Sequence, residues 1–320
     1  MKAILYTNYG PPDVLQLREV EKPFPKENEV LVKVHASSVN ALEWRRFTLP
    51  RIVLPIFGGG LREPRDKTIG GDFAGTVEAV GPAEKQFQRG DEVFGIRRGA
   101  FAEYVCAPEK YLAPKPANLS FESAASVPIA ALTALQGLRD QGKIRPGHKV
   151  LINGAGGGVG TFAVQIAKSF GAEVTAVCST RNLEVARSIG ADHVIDYARE
   201  DFTRNGERYD LIIAANGYHS IFDYRRSLKS NGIYVVVGGY MAQMFQALLL
   251  GPILSLAGNR KMRGMMTSPN QKDLIFLKEL LETGKVVPAI DRIYRLAEVP
   301  EAIRYLLEGH PRGKVVITIA

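Results

Sequence analysis

A glycine-dense turn between an apolar strand and an amphipathic helix is the part of this sequence best suited to chemistry. The stretch 150–168 reads VLINGAGGGVGTFAVQIAK, with glycine at Gly156, Gly157, Gly158 and Gly160. Glycine lacks the Cβ atom that keeps backbone N–H groups away from a phosphate, and the following helix directs its unpaired N–H groups at the same point. We therefore predict a turn that binds the pyrophosphate of a dinucleotide, rather than one that only joins two elements.

The spacing inside the turn is Ala155-x-Gly157-x-x-Gly160, an alanine-first variant of the usual dinucleotide-binding pattern. Flexible loops can have the same glycine content by chance. The residues on either side of the turn therefore decide whether it is a nucleotide-binding turn. Residues 149–152 are predicted to form a strand, and apolar residues repeat at helical spacing from Val159 to 167. The predicted pyrophosphate contacts are made by Gly157, Gly158, Val159 and Gly160.

The residues after the next strand indicate which dinucleotide binds. Strand 173–178 ends where a site for NAD places Asp or Glu on the ribose 2′-hydroxyl, but here Cys178 precedes Ser179, Thr180 and Arg181. Two hydroxyls and a guanidinium suit a 2′-phosphate, which a carboxylate would repel. The alternative is that Ser179 and Thr180 cap the helix that starts near residue 182. We predict NADP(H) as the cofactor.

Two more glycine-containing segments follow predicted strands. Asn216 comes after the fourth strand of this region, and Gly238 with Gly239 comes after the fifth. Open parallel sheets bind their ligands at the carboxyl ends of the strands. We therefore add Asn216, Gly238 and Gly239 to the predicted cofactor site.

Composition limits the class of protein. With 320 residues, two domains are expected, and 46% hydrophobic with 23% charged residues is typical of a soluble globular enzyme. The net charge of +8 comes from scattered basic residues rather than long basic runs, so no nucleic-acid partner is expected. Two distant cysteines and an N-terminus without a secretion signal predict a reducing, cytoplasmic location.

The order of predicted elements separates the chain into two kinds of structure. Residues 1–120 are rich in short strands between glycine and proline breakers, whereas strands and helices alternate from 150 to about 237. That alternation is typical of a doubly wound α/β domain with helices on both faces of a parallel sheet. Two helices, at 273–282 and 299–308, and a strand at 314–319 close the chain.

The segment 241–257 is strongly apolar and is followed by Arg260, Lys261 and Arg263. Glutamines and a Gly-Pro pair interrupt it, so it is too short to span a membrane. We expect the segment to form a lid or a packing element, either beside the active site or at a subunit contact. The alternative is a weak membrane-surface contact through 241–263, with an apolar face and a basic flank.

The whole chain resembles the medium-chain dehydrogenase/reductase superfamily, within it the zinc-independent branch that is similar to quinone oxidoreductases. The likeness includes MKAILYTNYG at the start, SSVNALEW at 37–44, IGGDFAGTVEAVG at 69–81, ASVPIAALTALQGL, the glycine turn, GADHVIDY and the closing GKVVI. It implies a Rossmann doubly wound parallel sheet plus a β-rich GroES-like catalytic domain. The implied catalytic domain consists of two segments, 1–123 and the C-terminal segment 266–320. The implied NADP(H)-binding domain is 124–265. Relatives are commonly homodimers, so a homodimer is expected.

The positions that bind zinc in other members of the superfamily carry different residues here. Ser38 or a neighbour stands where a cysteine ligand is expected, and Gly70-Gly71-Asp72 replaces Gly-His-Glu. Without a thiolate or an imidazole at these positions, a catalytic zinc cannot be held, so we predict no metal.

The predicted substrate follows from the missing ligands. A conjugated carbonyl stabilises the charge that hydride attack leaves, so a quinone or an α,β-unsaturated carbonyl needs no metal to accept hydride. The predicted activity is therefore NADPH-dependent reduction of quinones or enones. The alternatives are an NAD(P)-dependent alcohol or aldehyde dehydrogenase and a cofactor-binding protein with little turnover.

The resemblance also implies roles for single residues. Asn40 matches a position near the nicotinamide and the substrate, Thr133 one whose hydroxyl approaches the nicotinamide, and Tyr197 one near the adenosine phosphate. Trp44 closely follows Asn40 in the chain, so its side chain is expected to line the acceptor pocket. The alternatives are a turn for Asn40, helix packing for Thr133, core packing for Trp44 and a cap on the sheet for Tyr197. Glu43 stands where the common family pattern has aspartate, and Lys314, in the closing Gly-Lys, is expected to be solvated.

Overall fold

The computed structural model describes residues 1–48, 60, 63–65, 67–309 and 311–319, and in the first helix it leaves the side chains of Leu42 and Trp44 undescribed. The chain divides into two compact units. Unit 1 comprises Met1–Ile129, Pro269–Glu282 and Ile290–Ala320, and unit 2 comprises Ala130–Ser268 and Thr283–Ala289. The boundaries that we expected after residues 123 and 265 lie a few residues before these divisions.

The described strands are numbered in chain order. They are β1 Lys2–Tyr6, β2 Leu15–Glu19, β3 Glu29–Val39, β4 Asp72–Val80, β5 Glu92–Ile96, β6 Tyr104–Pro108, β7 Leu112–Pro114, β8 Lys149–Asn153, β9 Glu173–Cys178, β10 His193–Asp196, β11 Tyr209–Ala214, β12 Leu228–Val236, β13 Lys261–Gly264, β14 Ile290–Arg295 and β15 Lys314–Thr318.

The described helices are numbered in the same way. They are α1 Ala41–Thr48, α2 Phe121–Ala125, α3 Pro128–Gln136, α4 Gly158–Ser169, α5 Leu183–Ser188, α6 Ile221–Arg226, α7 Met241–Leu249, α8 Gly251–Leu256, α9 Gln271–Glu282 and α10 Val299–Leu307. A π-helical turn, Gly137–Gln141, extends α3, and a 3-10 turn, Thr180–Asn182, precedes α5.

Unit 2 contains a six-stranded sheet in the order β10-β9-β8-β11-β12-β13. Each neighbouring pair in this sheet is parallel, so the carboxyl ends of all six strands meet at one edge. The strand order reverses between β8 and β11, the position at which open sheets of this kind bind ligands. This topology confirms the prediction of a doubly wound parallel sheet.

Unit 1 contains a largely antiparallel sheet in the order β14-β15-β3-β4-β5-β7, with β6 also paired to β3. β14 and β15 form its parallel pair, and β1 with β2 forms a separate two-stranded sheet. The long strand β3 therefore organises the unit, because it pairs with β4, β6 and β15. The prediction of a β-rich first region is confirmed.

Each unit has its own apolar core. In unit 1, Val30, Val32 and Phe73 belong to a cluster of buried residues from β3, β4 and their neighbours. In unit 2, the faces of the parallel sheet are covered by helices, and Phe162 on α4 is fully buried. Burial of such side chains contributes about 1.5–3 kcal/mol each, which favours these elements over their isolated forms.

The apolar segment 241–257 forms two short helices. α7 ends at Leu249 and α8 starts at Gly251, with Pro252 in its first turn, where proline is tolerated but cannot continue the preceding helix. Among the described residues, the structure contains no helix whose length and apolar character would let it cross a membrane.

Candidate functional site: a dinucleotide turn and a buried charge cluster

The glycine turn of unit 2 leaves backbone donors available for a phosphate. Gly157 precedes α4 in an extended conformation, with φ at −89°, and its carbonyl oxygen accepts the N–H of Thr161 at 2.9 Å. The N–H groups of Gly158, Val159 and Gly160 precede this first helical bond, so they have no acceptor within the helix. All three residues lie at the positive end of the α4 dipole, where an anion is stabilised.

The glycines of this turn serve two different purposes. A Cβ atom at Gly160 would collide with the carbonyl oxygen of Gly154 and lie 2.7 Å from Cα of Ala155, so glycine is needed there for the turn itself. A Cβ atom at Gly157 would meet only the carbonyl oxygen of Gly154, at 3.7 Å. The space beside Gly157 is therefore open for a ligand, as a pyrophosphate requires.

The three residues predicted to bind a 2′-phosphate follow β9. Ser179 occupies the position before the 3-10 turn, but its side chain makes no capping hydrogen bond, so the capping alternative has no support there. The Thr180 hydroxyl donates to Asp196 Oδ2 at 2.6 Å, and Arg181 is exposed. The pKa of Asp196 is lowered, first by this hydrogen bond. Sequence reasoning missed Asp196 as the partner of Thr180.

The other predicted cofactor residues lie after the neighbouring strands at the same edge of the sheet. Tyr197 follows β10 and has 59% of its surface exposed, so most of this residue is open to solvent, and its role near the adenosine phosphate stays a prediction. Asn216 is exposed, and its backbone N–H donates to the carbonyl oxygen of Asn153 at 3.1 Å. Gly238 and Gly239 follow β12, and Gly239 has a φ of 87°, which favours glycine.

The predicted cofactor residues therefore share one edge of the parallel sheet of unit 2, although they come from five separate loops. This placement agrees with a dinucleotide site, and the open space at Gly157 shows that the residues fit a pyrophosphate. The individual contacts of these residues stay predictions.

Thr133 lies on α3, also in unit 2. Its hydroxyl is hydrogen-bonded to the hydroxyl of Thr267 at 2.6 Å, and 6% of Thr133 is exposed. Gln136, one turn later, donates to the carbonyl oxygen of Ser268 at 2.8 Å and accepts its N–H at 2.9 Å. α3 is thus fixed to the segment after β13, and the role of Thr133 toward a nicotinamide stays a prediction.

Unit 1 holds a buried charge cluster where three strands meet. Ser38 pairs with Asp72 across β3 and β4, and Val39 pairs with Val315 across β3 and β15. This register brings Asn40, Asp72 and Lys314 together. Asp72 is fully buried and Lys314 is 3% exposed.

The side chains of this cluster satisfy one another. Asp72 Oδ2 accepts from the Ser38 hydroxyl at 2.8 Å and from Asn40 Nδ2 at 2.9 Å, and Oδ1 accepts from the Ile129 N–H at 2.9 Å. Lys314 Nζ donates to Asn40 Oδ1 at 2.6 Å and lies 3.5 Å from Asp72 Oδ2. Burial of two charges is tolerated only with this degree of pairing.

Glu43 adds a second buried carboxyl to the charge cluster. Its Oε2 accepts the backbone N–H of Asn40 at 2.7 Å, a contact that closes the first turn of α1. Burial, and after it the negative charge of Asp72, raise the pKa of Glu43 to about 7, although Lys314 opposes the shift. Burial also lowers the pKa of Lys314.

These contacts correct or refine three expectations. The expectation of a solvated Lys314 is wrong, because β15 places it inside unit 1. Asn40 does hold a turn, since it precedes α1, and its side-chain amide is engaged at both ends; its role near a substrate stays a prediction. The side chain of Trp44 lies outside the described residues, so its pocket role also stays a prediction.

The described residues contain no group of three or more His, Cys, Asp or Glu side chains placed to hold a metal ion. Ser38, which stands at or near the position of a zinc-binding cysteine in other members of the superfamily, is fully buried and donates to Asp72. A hydroxyl and a glycine in place of a thiolate and an imidazole do not fit a catalytic zinc.

Comparison with known proteins agrees with this architecture. Residues 26–117 match a family described as alcohol dehydrogenase GroES-like domain, and residues 189–317 match one described as zinc-binding dehydrogenase. A 2-methylene-furan-3-one reductase from Solanum lycopersicum is 35% identical, over 99% of this chain and 79% of that protein. The chloroplast envelope quinone oxidoreductase homolog of Arabidopsis thaliana is 32% identical, over 99% of this chain and 98% of that protein.

Solved structures give the same result. A quinone oxidoreductase from Coxiella burnetii superposes with a TM-score of 0.87 at 32% identity, covering 100% of this chain and 99% of its own. The CurK enoyl reductase superposes with a TM-score of 0.85 at 26% identity, covering 100% and 99%. The chain belongs to the medium-chain dehydrogenase/reductase superfamily, in the branch that contains quinone oxidoreductases, as its motifs predicted.

Proposed function

We propose that the protein is an NADPH-dependent oxidoreductase that transfers hydride to a quinone or an α,β-unsaturated carbonyl. The observation that carries the proposal is the open glycine turn at the carboxyl edge of the parallel sheet, in a chain of this family. The names of its relatives support the reaction class: quinone oxidoreductase, NADPH-dependent alkenal/one oxidoreductase and enoyl reductase.

The cofactor is held by its phosphates. The N–H groups of Gly158, Val159 and Gly160 bind the pyrophosphate, and Arg181 binds the 2′-phosphate with a charge-assisted hydrogen bond. Thr180 contributes less to that phosphate, because its hydroxyl already donates to Asp196. When bound, the reduced nicotinamide supplies a hydride.

The electronic structure of the acceptor determines whether it can take hydride without a metal. Hydride attack on a quinone or an enone leaves negative charge on a conjugated oxygen, which hydrogen bonds stabilise and solvent protonates. A simple alcohol needs its proton removed, and Ser38 with Gly71 offers no zinc site for that step. The protein therefore acts by binding and orienting a planar, electron-poor acceptor.

A direct assay tests the reaction class. The purified protein is incubated with NADPH or NADH and with a 1,4-quinone, an enone or an aldehyde, and loss of reduced cofactor is followed. We expect turnover with NADPH and the quinone or the enone. Activity confined to the aldehyde would favour an alcohol or aldehyde dehydrogenase, and cofactor binding without turnover would favour a binding protein.

Replacement of Arg181 by alanine tests the cofactor preference. Loss of a charge-assisted hydrogen bond of about 1.5–3 kcal/mol raises KM for NADPH by about ten-fold or more and leaves KM for NADH unchanged. Arg208→Ala is the matched control, because Arg208 directly precedes β11 and so lies at the opposite edge of the sheet. Equal changes for both cofactors, or none, would contradict a 2′-phosphate site at Arg181.

The homodimer and the cytoplasmic location expected from the sequence stay predictions. Light scattering during size-exclusion chromatography measures the first, and the expected mass is twice that of the 35.0 kDa chain.

A further inference from the structure

Helices α7 and α8 present large apolar side chains to solvent. Leu248 is 67% exposed and Leu256 is 88% exposed. The other exposed apolar residues of these helices and of the residue that joins them are Phe245, Leu249, Leu250 and Ile253. We call these six residues the apolar face. Such a face is larger than the isolated exposed leucines that are common on soluble proteins.

The orientation of α7 is set by polar contacts on its inner side. Gln243 is 1% exposed and accepts from the Tyr224 hydroxyl at 3.5 Å, and that hydroxyl accepts from Asn153 Nδ2 at 2.7 Å. Gln246 accepts the N–H of Ile221 at 3.1 Å. α7 therefore turns Gln243 and the small Ala247 toward the protein and its leucines outward, although burial in this unit alone would favour the leucines.

Basic residues follow the apolar face directly in the chain. Residues 241–263 contain Arg260, Lys261 and Arg263 but no Asp or Glu. Arg225 donates to the carbonyl oxygen of Ala257, and Lys261 donates to that of Ser255, so both lie at the end of α8. Carbonyl oxygens do not neutralise these charges, which therefore remain available to an anionic surface.

Helix α8 also covers part of the edge of the parallel sheet. Ser255 accepts the N–H of Met262 at 2.9 Å and donates to its carbonyl oxygen at 3.4 Å. Met262 is in the edge strand β13, so its outward groups are already satisfied and do not recruit a strand from a second copy. The apolar face, not an open strand edge, is what this side of unit 2 offers.

We propose that α7 and α8 attach the protein to the surface of a membrane rich in anionic lipids. The apolar face enters the boundary between headgroups and acyl chains, while Arg225, Arg260 and Lys261 contact lipid phosphates. With nine and six residues, the two helices lie on the membrane and do not cross it.

Co-sedimentation with lipid vesicles tests the proposal. The full chain is mixed with vesicles of phosphatidylcholine alone or of phosphatidylcholine with phosphatidylserine. We expect binding to the second composition only, weakened by salt. Leu248→Gln combined with Leu249→Gln reduces the affinity by about a hundred-fold or more, since each leucine transfer is worth about a factor of ten or more. Phe24→Gln, at a residue 87% exposed in unit 1, is the matched control and keeps the affinity.

A variant that removes basic charge and a measurement of the oligomeric state distinguish a membrane surface from a second copy of the chain as the partner of the apolar face. Arg260→Gln combined with Lys261→Gln weakens binding to the anionic vesicles without removing an apolar side chain, and circular dichroism verifies that each variant folds. Equal sedimentation with both vesicle compositions, or with neither, overturns the proposal. So does a dimer, observed by light scattering, that dissociates in the Leu248→Gln, Leu249→Gln variant, because the apolar face then belongs to a second copy.

Discussion

At the scale of single residues, the buried charge cluster of unit 1 is the most demanding arrangement in the protein. One ammonium group, Lys314, lies among the carboxyl groups of Asp72 and Glu43 and the amide of Asn40. Each group is desolvated, so its energy depends on its partners. Changes here are expected to affect stability far more than changes at the surface.

Replacement of Lys314 by methionine leaves Asp72 buried without its counter-charge. We expect a loss of about 3–5 kcal/mol in the free energy of unfolding, measured by urea denaturation. Asp72→Asn combined with Lys314→Met loses less than the sum of the two single changes, by about 0.5–3 kcal/mol. Strict additivity would show that the pair does not interact.

Ionisation of Glu43 predicts a specific dependence on pH. Its pKa is raised from 4.5 to about 7, so between these values the carboxyl is ionised in the unfolded chain but protonated in the folded one. The folded state then binds more protons, and stability falls as pH rises through this range, by about 3 kcal/mol in total, and is level above about pH 7.

Urea unfolding at pH 5 and pH 8, for the natural protein and for Glu43→Gln, measures this effect. The glutamine keeps an acceptor for the Asn40 N–H but cannot ionise, so we expect its loss of stability between the two pH values to be about 3 kcal/mol smaller. The same pH dependence in both proteins would place the ionisation elsewhere.

At the scale of elements, the glycine turn and α4 form one unit of structure. The turn needs glycine at Gly160 for the close approach of its own backbone, whereas a Cβ atom at Gly157 has room, so glycine is expected there for the approach of a ligand. The spacing of the motif identifies both glycines but does not distinguish these two reasons. The distances from an added Cβ atom to its neighbours in the folded turn do distinguish them.

The two glycines therefore predict opposite behaviour on replacement by alanine. Gly157→Ala keeps the melting temperature of the unliganded protein, because its Cβ atom has room and its φ of −89° suits any residue, but it weakens NADPH binding by about ten-fold or more. Gly160→Ala destabilises the unliganded protein by about 1–3 kcal/mol, because backbone atoms block the Cβ atom. Thermal melting and fluorescence titration with NADPH measure these effects, and unchanged NADPH binding in Gly157→Ala would contradict the pyrophosphate site.

At the scale of the whole molecule, cofactor binding and stability are linked by mass action. If NADPH binds the folded chain only, a concentration 100 times Kd raises the free energy of unfolding by about 2.7 kcal/mol. We expect the melting temperature to rise with the logarithm of NADPH concentration, and to rise less in Arg181→Ala. The same stabilisation by NADH and NADPH would contradict the proposed preference for the phosphorylated cofactor.

The sequence by itself determined the local elements and the kind of each domain. Helical spacing in 158–169, β-branched strands such as β9 and the glycine turn depend on neighbours in the chain, so propensity and periodicity are enough to predict them. The break between α7 and α8 at Gly251 and Pro252 is local in the same way. The placement of the predicted cofactor residues at one sheet edge followed from the alternation of strands and helices.

Only the tertiary structure decided which polar groups meet. Asp72 and Lys314 are 242 residues apart, and their contact depends on the register of β4 against β3 and of β15 against β3. The inward position of Gln243 depends on Tyr224 in the same manner. A side chain's burial is set by elements that pack against it from distant parts of the chain, and the spacing of residues along one strand or helix does not contain that information.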